Sequence, residues 1–427
     1  MKKLTLVAAA AMGLLSGTAV MAQSTVTLYG LVDAGFNRVS GLRQGTVNTI
    51  ASGIMEGSRF GFRGTEDLGG GYKAIFVLEN RFETDTGAFS NRPNSGTQVP
   101  DRVATSVLGT TATLPIPLPV RTGIVNTVNT GLASGGFGVN LGGNFFDRQS
   151  YVGLITPVGA VTAGRQYTPG YLVSANFDAS QTQSSLAAGQ VASLPAAFDI
   201  RLSNTLQYGI QMSGVTAAVM YGAGEVAGNN SAGRFLGGMV IYKTPAFAAG
   251  VGYNTRKNEL GQKSLTNAVA GANVTIGPGA LYGLYATIKD DNPSNLSTIG
   301  ASVSTAVGGG ALGALAGPAF QNAYNVAFRQ DAQLFHIGYR MILGAHTIVT
   351  AFNRLDDKRA VNADTDSYGV TYSYALSKRT DLNAVLTRFN NKGQGQIAPG
   401  GNGFLGGVTS AAGVDSTNIA LGIRHRF

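Results

Sequence analysis

The chain has 427 residues, with 31 Lys and Arg against 22 Asp and Glu, which gives a formal net charge of +9 at pH 7. It contains no Cys, which excludes a disulfide-held scaffold, a thiol nucleophile and a Cys-ligated metal site. Charged residues make up only 12% of the chain, about half the usual fraction, and 61 residues are Gly. This composition fits either a soluble β-protein or a membrane β-barrel, whose alternating strands average to a modest hydropathy.

The first segment predicts export. Lys2 and Lys3 precede a short apolar run, and small residues then lead to a small-x-small cleavage site that ends at Ala22. An N-terminal membrane anchor is the alternative, but the run is too short to span a hydrocarbon core of about 30 Å. We therefore predict a signal peptide at 1–22 and a mature chain, 23–427, that forms one domain.

Period-two alternation of apolar and polar residues predicts sixteen strands after this segment. By number they span 24–37, 58–66, 71–83, 147–155, 160–167, 201–211, 215–222, 235–243, 246–254, 264–276, 280–289, 332–343, 346–355, 367–376, 380–389 and 415–427. The connections after the even-numbered strands are tight turns such as "TP" and "SKR", whereas those after the odd-numbered strands are long.

Two of the long connections, 84–146 and 290–331, are much longer than the others. In the first, the sequence "LPIPLP" (114–119) predicts an extended, polyproline-like segment. In the second, residues 301–320 are uncharged, but five Gly and Pro318 interrupt them. That interruption favours a loop over a membrane helix.

Short turns at one rim and long loops at the other are typical of an up-and-down barrel in an outer membrane. A soluble β-sandwich, the alternative, has no reason to keep all its long loops at one end. The predicted fold class is therefore all-β: a sixteen-stranded antiparallel transmembrane β-barrel with both termini at the short-turn rim.

The last residues, "GIRHRF", support closure of this barrel. One face of the last strand carries Ile423 and Phe427, and the other face carries Arg424 and Arg426. A chain end that frays into water offers a large aromatic nothing to pack against. If the last strand pairs with the first, Phe427 lies in the aromatic girdle at the membrane interface.

Six blocks in order along the chain resemble those of a known family. They are "STVTLYGLVDAGF" (24–36), "SRFGFRGTEDLGGGYKAIFVLEN" (58–80), "RQSYVGL" (148–154), "VTAGRQYTP" (161–169), "YALSKRTDL" (374–382) and "GIRHRF" (422–427). Together they are similar to the Gram-negative general porins, above all to the β-proteobacterial subgroup. No block is specific alone, but six in family order cover the whole mature chain.

The resemblance implies a homotrimer in the cell outer membrane. Each subunit holds a water-filled channel, narrowed by a third long loop that folds inward, through which small hydrophilic solutes diffuse. The terminal Phe427 resembles the signal that the barrel-assembly machinery reads. Two features differ from the family: the second long loop, 84–146, is longer, and the third, 168–200, has only Asp178 and Asp199 as acids.

Strand parity separates the lumen from the lipid. It predicts that eight charged residues line the channel or its constriction: Arg59, Arg63, Lys73, Glu79, Arg81, Arg148, Arg201 and Asp33. The inward third loop that the resemblance implies would add Asp178 as an opposing acid. A ring of arginines at the narrowing would favour anions; alternatively, the arginines only solvate the lumen or pair with the acids. Parity also turns Tyr151 and Ile155 outward. Arg165 falls on the outward face, where we predict a subunit contact.

Other functions have weaker support. The three histidines show no metal-ligand spacing, and a Ser–His hydrolase that uses the inward-facing His336 is the only enzymatic alternative. Nothing predicts a cofactor or a nucleic-acid-binding module. Loop acids such as Asp356 and Asp366 could bind divalent cations that bridge lipopolysaccharide. A substrate-specific channel, and a barrel whose long loops act in adhesion, remain alternative functions.

Overall fold

The computed structural model describes residues 25–89, 99–134, 144–192, 199–399 and 406–427. The predicted signal peptide, 1–22, lies outside the described residues, so this processing site stays a prediction. Within these ranges no helix is both long enough and apolar enough to cross a membrane.

The fold is one antiparallel sheet of 17 strand segments that closes on itself, because the last segment pairs with the first. A separate two-stranded hairpin is formed by β17 and β18. The strands are β1 (Thr25–Leu42), β2 (Gly45–Ser52), β3 (Arg59–Gly69), β4 (Tyr72–Arg81), β5 (Gln149–Thr156), β6 (Gly159–Tyr167), β7 (Arg201–Met212), β8 (Val215–Gly222), β9 (Phe235–Lys243), β10 (Phe247–Lys257), β11 (Lys263–Ile276), β12 (Gly279–Asp290), β13 (Gln330–Leu343), β14 (His346–Asp357), β15 (Thr365–Ala375), β16 (Thr380–Asn391), β17 (Ile397–Pro399), β18 (Gly406–Val408) and β19 (Ser416–Arg426). The helices are α1 (Val99–Thr110), α2 (Leu118–Ser134), α3 (Pro169–Phe177), α4 (Ala188–Ala192), α5 (Ile299–Ala306) and α6 (Gly310–Phe328).

The closed barrel has sixteen crossings, as predicted, because β2 and β3 together make one of them. Both pair with β1, β3 along its first half and β2 along its second half. Residues 53–58 interrupt this crossing, and we call them the wall excursion. Strand alternation does not predict β2, whose residues fall in the first long connection, between the predicted strands 24–37 and 58–66.

Alternation explains why these strands form a barrel. Large apolar side chains are exposed on the outer face, where lipid would cover them: Val26, Leu28, Leu206, Val219, Val251, Ile337, Leu386 and Leu421. Polar side chains occupy the inner face: Asn37, Gln207, Asn254, Asn267, Asn353, Thr387 and Asn418. Lumen-facing polar groups avoid the cost of about 2–4 kcal/mol that a charge pays at mid-bilayer on the lipid face.

The prediction from strand parity that Tyr151 and Ile155 of β5 face outward was wrong. Tyr151 and Ile155 are 6% and 5% exposed and face inward, whereas Val152 between them is 61% exposed on the outer face. Tyr151 lies opposite Val77 of β4, and directly opposed residues share a face. Both faces of β5 carry apolar residues, so its own alternation could not decide which one faces lipid.

The segment between β6 and β7 lies against the inner wall of the barrel. We call its described residues, 168–192 and 199–200, the inner loop. The backbone N–H of Gly170 donates to Asn254 of β10 at 3.0 Å, and that of Ala179 donates to Nε2 of His336 of β13 at 2.9 Å. Because both acceptors face inward, these contacts hold the loop against the lumenal surface.

Four helices from the two longest connections pack together outside the barrel. These helices, α1, α2, α5 and α6, form the helical cap, which has its own apolar core: Val107, Val125, Val303, Phe320 and Tyr324. The predictions of a loop at 301–320 and an extended segment at 114–119 were therefore wrong. At Gly317 a Cβ would lie 2.7 Å from the Gly300 carbonyl oxygen, so glycine lets α5 and α6 approach closely. In the second segment, proline is tolerated at the start of α2, where no N–H bond is lost.

Candidate functional site

Six arginines face the lumen in a band across neighbouring strands. We call them the arginine cluster: Arg59, Arg81, Arg148, Arg201, Arg424 and Arg426. Strand register brings them together: Arg59 lies opposite both Arg81 of β4 and Leu31 of β1. Arg426 of β19 lies opposite Leu31 from the other side. Four of the six, Arg59, Arg81, Arg148 and Arg201, were predicted from the sequence.

Three of these arginines converge on one carboxylate, that of Glu56 in the wall excursion. Its oxygens lie 2.9 Å from Arg59, 2.7 Å from Arg424 and 3.4 Å from Arg426. A second carboxylate, Asp381 of β16, lies 3.0 Å from Arg424 and 2.7 Å from Arg426. Three guanidinium groups thus share two carboxylates, which leaves this part of the cluster with one formal positive charge.

Arg148 is held by Glu79. Its Nε lies 2.6 Å from one carboxylate oxygen of Glu79, and the other oxygen accepts a hydrogen bond from the Tyr29 hydroxyl at 3.2 Å. Arg148 lies one residue before β5, and its side chain is only 1% exposed. Arg81 is equally buried and lies 3.2 Å from Glu83. Both pairs are buried in the wall, so little of their charge is in direct contact with water.

Tyr167, at the end of β6, joins two arginines of the cluster without neutralising either of them. Its hydroxyl accepts hydrogen bonds from Arg148 at 2.8 Å and from Arg201 at 2.9 Å. The Arg201 guanidinium also lies 4.5 Å from the Tyr167 ring centroid, a cation–π distance. Tyr171 of the inner loop stacks on the same ring at 5.2 Å. The aromatic pair therefore orients both guanidinium groups.

Asp33 holds the wall excursion. Its buried carboxylate accepts hydrogen bonds from three successive backbone N–H groups, those of Ile54, Met55 and Glu56, at 2.8–3.0 Å. The excursion begins at Gly53, whose φ of +76° is one that glycine adopts without strain. Asp33 was predicted to line the channel, but its carboxylate is hydrogen-bonded to the backbone of the excursion instead.

Asp178 has a similar structural part in the inner loop. Its carboxylate accepts the N–H groups of Ser180 at 2.8 Å and Ala188 at 2.6 Å, and the residue is 5% exposed. The carboxylate of Asp178, which was predicted to face the arginines, is thus hydrogen-bonded to the backbone of its own loop. Neither Asp33 nor Asp178 presents a free carboxylate to solutes.

Lys73 and Arg63 lie apart from the arginine cluster. Lys73 is opposite Asp67, next to the turn that joins β3 and β4. Eight residues separate it from Arg81 along β4, or about 27 Å. Arg63 lies four residues from Arg59, and its guanidinium lies 5.2 Å from the Tyr29 ring centroid. That Lys73 and Arg63 line the channel stays a prediction, and they do not share the cluster.

Arg165 is on the outer face, as parity predicted, opposite Ser150. Its Nε donates to the Asp147 carbonyl oxygen at 2.6 Å, and a terminal nitrogen donates to Ser203 at 3.1 Å. These bonds keep the guanidinium close to the wall. The predicted subunit contact at Arg165 stays a prediction.

The loop acids that were considered as cation ligands contact basic side chains instead. Asp357 lies 2.8 Å from Arg359, and Asp366 lies 3.0 Å from Lys392. Asp356 is paired with Lys358. Such pairing favours loop stabilisation over divalent-cation binding.

Sequence reasoning missed five members of the site. Arg424 and Arg426 were placed on the polar face of the last strand but were not counted as site residues, although parity alone makes them lumenal. Glu56, Asp381 and Tyr167 had weaker signals: Glu56 was assigned to a loop, and Tyr167 follows a β-bulge that shifts register after Gly164.

Comparison with known proteins identifies this architecture. The sequence pattern of the Gram-negative porin family matches residues 6–394. The chain belongs to the Gram-negative porin family. Outer membrane porin protein 32 of Delftia acidovorans is 26% identical over 425 residues, which cover 96% of each chain.

Solved structures agree with this porin fold. The anion-selective porin from Comamonas acidovorans has a TM-score of 0.67 and 24% identity, covering 95% of this chain and 100% of its own. The OmpT outer membrane protein of Vibrio cholerae, in its trimer form, has a TM-score of 0.57 and 12% identity, with 95% and 99% covered. The protein is therefore an outer-membrane porin whose sixteen-stranded barrel is confirmed, and its family consists of channels rather than enzymes.

Proposed function

We propose that this porin is a water-filled channel through which small hydrophilic solutes diffuse, with a moderate preference for anions. The observation that carries the preference is the arginine cluster on the inner wall. Rings of charged side chains set ion preference in such channels. The name of the Comamonas acidovorans structure, an anion-selective porin of the same fold, agrees with this direction.

The size of the preference can be bounded. One unit charge at about 10 Å in water contributes roughly 0.4 kcal/mol for an anion and the opposite amount for a cation, which together change the anion-to-cation permeability ratio about fourfold before screening. Carboxylates contact most of the cluster, so only a few net charges act on a passing ion. Screening over a Debye length of about 8 Å at physiological salt lowers the effect further. We expect a moderate selectivity rather than an absolute one.

The test is the reversal potential of single channels in a KCl gradient across a planar bilayer. The wild-type channel should prefer chloride, and Arg59→Gln should lower the permeability ratio about twofold. Arg59 suits this test because Glu56 keeps Arg424 and Arg426 as partners after the change. Lys73→Gln is the matched control: it removes the same charge about 27 Å from Arg81 along β4 and should change the ratio less.

A cation-preferring wild-type channel would contradict the proposal. If the arginines formed a ring exposed to water, the double change Arg59→Ser and Arg148→Ser would be the natural test. The structure makes it a poorer experiment. Arg148 is 1% exposed, and its loss leaves the buried Glu79 carboxylate without this ion pair. Removing one partner of a buried pair destabilises by about 3–5 kcal/mol, so folding and selectivity would change together.

Subunit assembly and membrane insertion belong to the same proposal. A homotrimer is supported by the trimer form of the Vibrio cholerae relative, and lipopolysaccharide would surround its outer rim. Phe427, whose backbone exchanges two hydrogen bonds with Gly30, ends the lipid-facing row of β19. That position suits a signal for the barrel-assembly machinery, and deleting Phe427 should lower the amount of inserted protein without changing the conductance of each channel.

A further inference from the structure

We propose that Glu56 limits the anion preference of this channel, because the wall excursion carries its carboxylate into the arginine cluster. This inference rests on the proposed diffusion channel and adds the residue that limits its selectivity. Glu56 contacts three arginines, Arg59, Arg424 and Arg426, and neutralises one of their three charges.

The wall excursion places the side chain of Glu56 against the arginine cluster. It interrupts a membrane-crossing strand and therefore gives up ladder hydrogen bonds to β1, which a barrel wall normally keeps. Asp33 compensates by accepting three N–H groups of the excursion, including that of Glu56 itself at 2.8 Å. Ser58 closes the gap, since its hydroxyl accepts the Asp33 N–H at 3.0 Å.

The excursion also packs firmly against the inner wall. Ile54 and Met55 are 1% and 3% exposed and contact Val385 and Ala420 of the opposing strands. The Met55 carbonyl oxygen accepts the N–H of Gln183, at 3.0 Å, from the inner loop. Two inward elements therefore meet at this point, and Glu56 cannot move away from the arginines without breaking that contact surface.

Glu56 contacts three arginines of the cluster, whereas Asp381 contacts two of them, and the remaining lumenal acids are paired elsewhere. Asp33 and Asp178 are saturated by backbone N–H groups, and Glu79 and Glu83 each pair with one buried arginine. Glu56, by contrast, has a side chain 14% exposed and contacts Arg426, which is 38% exposed. Its negative charge is thus close to the water-filled lumen, where an ion experiences it.

Glu56→Gln keeps the shape of the side chain and removes its charge. We expect the anion-to-cation permeability ratio to rise about twofold or more, because one unit charge at about 10 Å in water changes the ratio about fourfold before salt screening lowers it, and low-dielectric walls increase it. The measurement is the reversal potential of full-length protein in a KCl gradient. Glu66→Gln, the same change on the outward face of β3, should leave the ratio unchanged, and Glu56→Asp should stay near the wild type.

An unchanged ratio in Glu56→Gln would overturn the inference, as would an equal shift in Glu56→Asp. A cation-preferring wild type would overturn the proposed anion preference instead, yet Glu56→Gln should still shift that channel toward anions. If Glu56→Gln inserts too poorly to record, Arg426→Gln tests the same network. It should lower the ratio about twofold, and no change there would also overturn the inference.

Discussion

The inner wall and the helical cap are stabilised by opposite means. The wall holds the arginine cluster and its carboxylates, whose positions are fixed by strand register and by ion pairs such as Arg148–Glu79. The cap has almost no charge: residues 292–328 contain none, and Arg121 is buried against backbone carbonyl oxygens. The cap depends mainly on apolar packing with a few hydrogen bonds such as that of Tyr324 to Asn129, whereas the wall depends on closed hydrogen bonding and paired charges.

This difference suggests that the two regions unfold separately. The cap has its own core, and among the described residues its links to the rim include a few polar contacts. Glu259 accepts N–H groups of Asn295 and Ser297, and Arg359 donates to the Arg329 carbonyl oxygen at 2.6 Å. A cooperative unit with few links to its neighbour can open on its own. Damage to the cap core should therefore spare the channel.

The largest effect is expected from Phe320→Ala in the cap. Phe320 is fully buried on α6, and such a truncation costs about 3–5 kcal/mol. The cap should lose protection from hydrogen exchange, while the barrel strands keep theirs and the reversal potential stays at the wild-type value. Leu315→Ala, on the same helix at 50% exposure, should change neither. Loss of barrel protection together with the cap would show that the two regions form one unit.

The barrel could be predicted because alternation is a local signal. Each strand has its own lumen-facing and lipid-facing residues, so sixteen weak patterns and the turn residues between them agree on one topology. β5 shows the limit of this signal, since Tyr151 faces the lumen while Val152 faces lipid. When both faces are apolar, only the neighbouring strands decide the parity.

The cap could not be predicted because its glycines and prolines are accommodated by tertiary packing, which the sequence alone does not show. Gly317 permits a helix contact, yet glycine in sequence alone signals a loop. The same holds for the site. Alternation could place the arginines on one face of the strands. Glu56, however, enters the cluster only because Asp33 holds the wall excursion. A hydrogen bond between residues more than twenty positions apart has no local sequence signal.

A smaller effect is expected where the inner loop is fastened to the wall. His336 accepts the Ala179 N–H and also contacts Asn353 at 2.6 Å, so His336→Leu leaves buried polar groups without partners. The cost is about 1–3 kcal/mol for such a group. We expect larger current fluctuations in single-channel records, because the loop gains freedom inside the lumen. His346→Leu, at an exposed position near a turn, is the control, and equal noise in both variants would refute the role of His336.

The smallest effect is expected where the cap contacts the barrel rim. There Glu259, in the loop between β10 and β11, accepts hydrogen bonds from the segment before α5. Burial acts to raise the pKa of the Glu259 carboxyl, but N–H groups of Asn295 and Ser297 outweigh it and hold the pKa below its usual range. A lowered pKa means that the contact stabilises the folded state at pH values above the usual one and is lost as the pH falls through the lowered value. Glu259 is only partly buried, so the contribution should be under about 1 kcal/mol.

Glu259→Gln should therefore speed hydrogen exchange in residues 291–306 at neutral pH, by less than the effect of Phe320→Ala. At a pH below the lowered pKa, the wild-type carboxyl is protonated as well, and the two proteins should exchange at the same rate. Glu225→Gln is the control: this rim residue accepts a hydrogen bond from Asn204 rather than from the cap. If Glu259→Gln and the wild type differ equally at both pH values, the contact acts through side-chain shape rather than through charge.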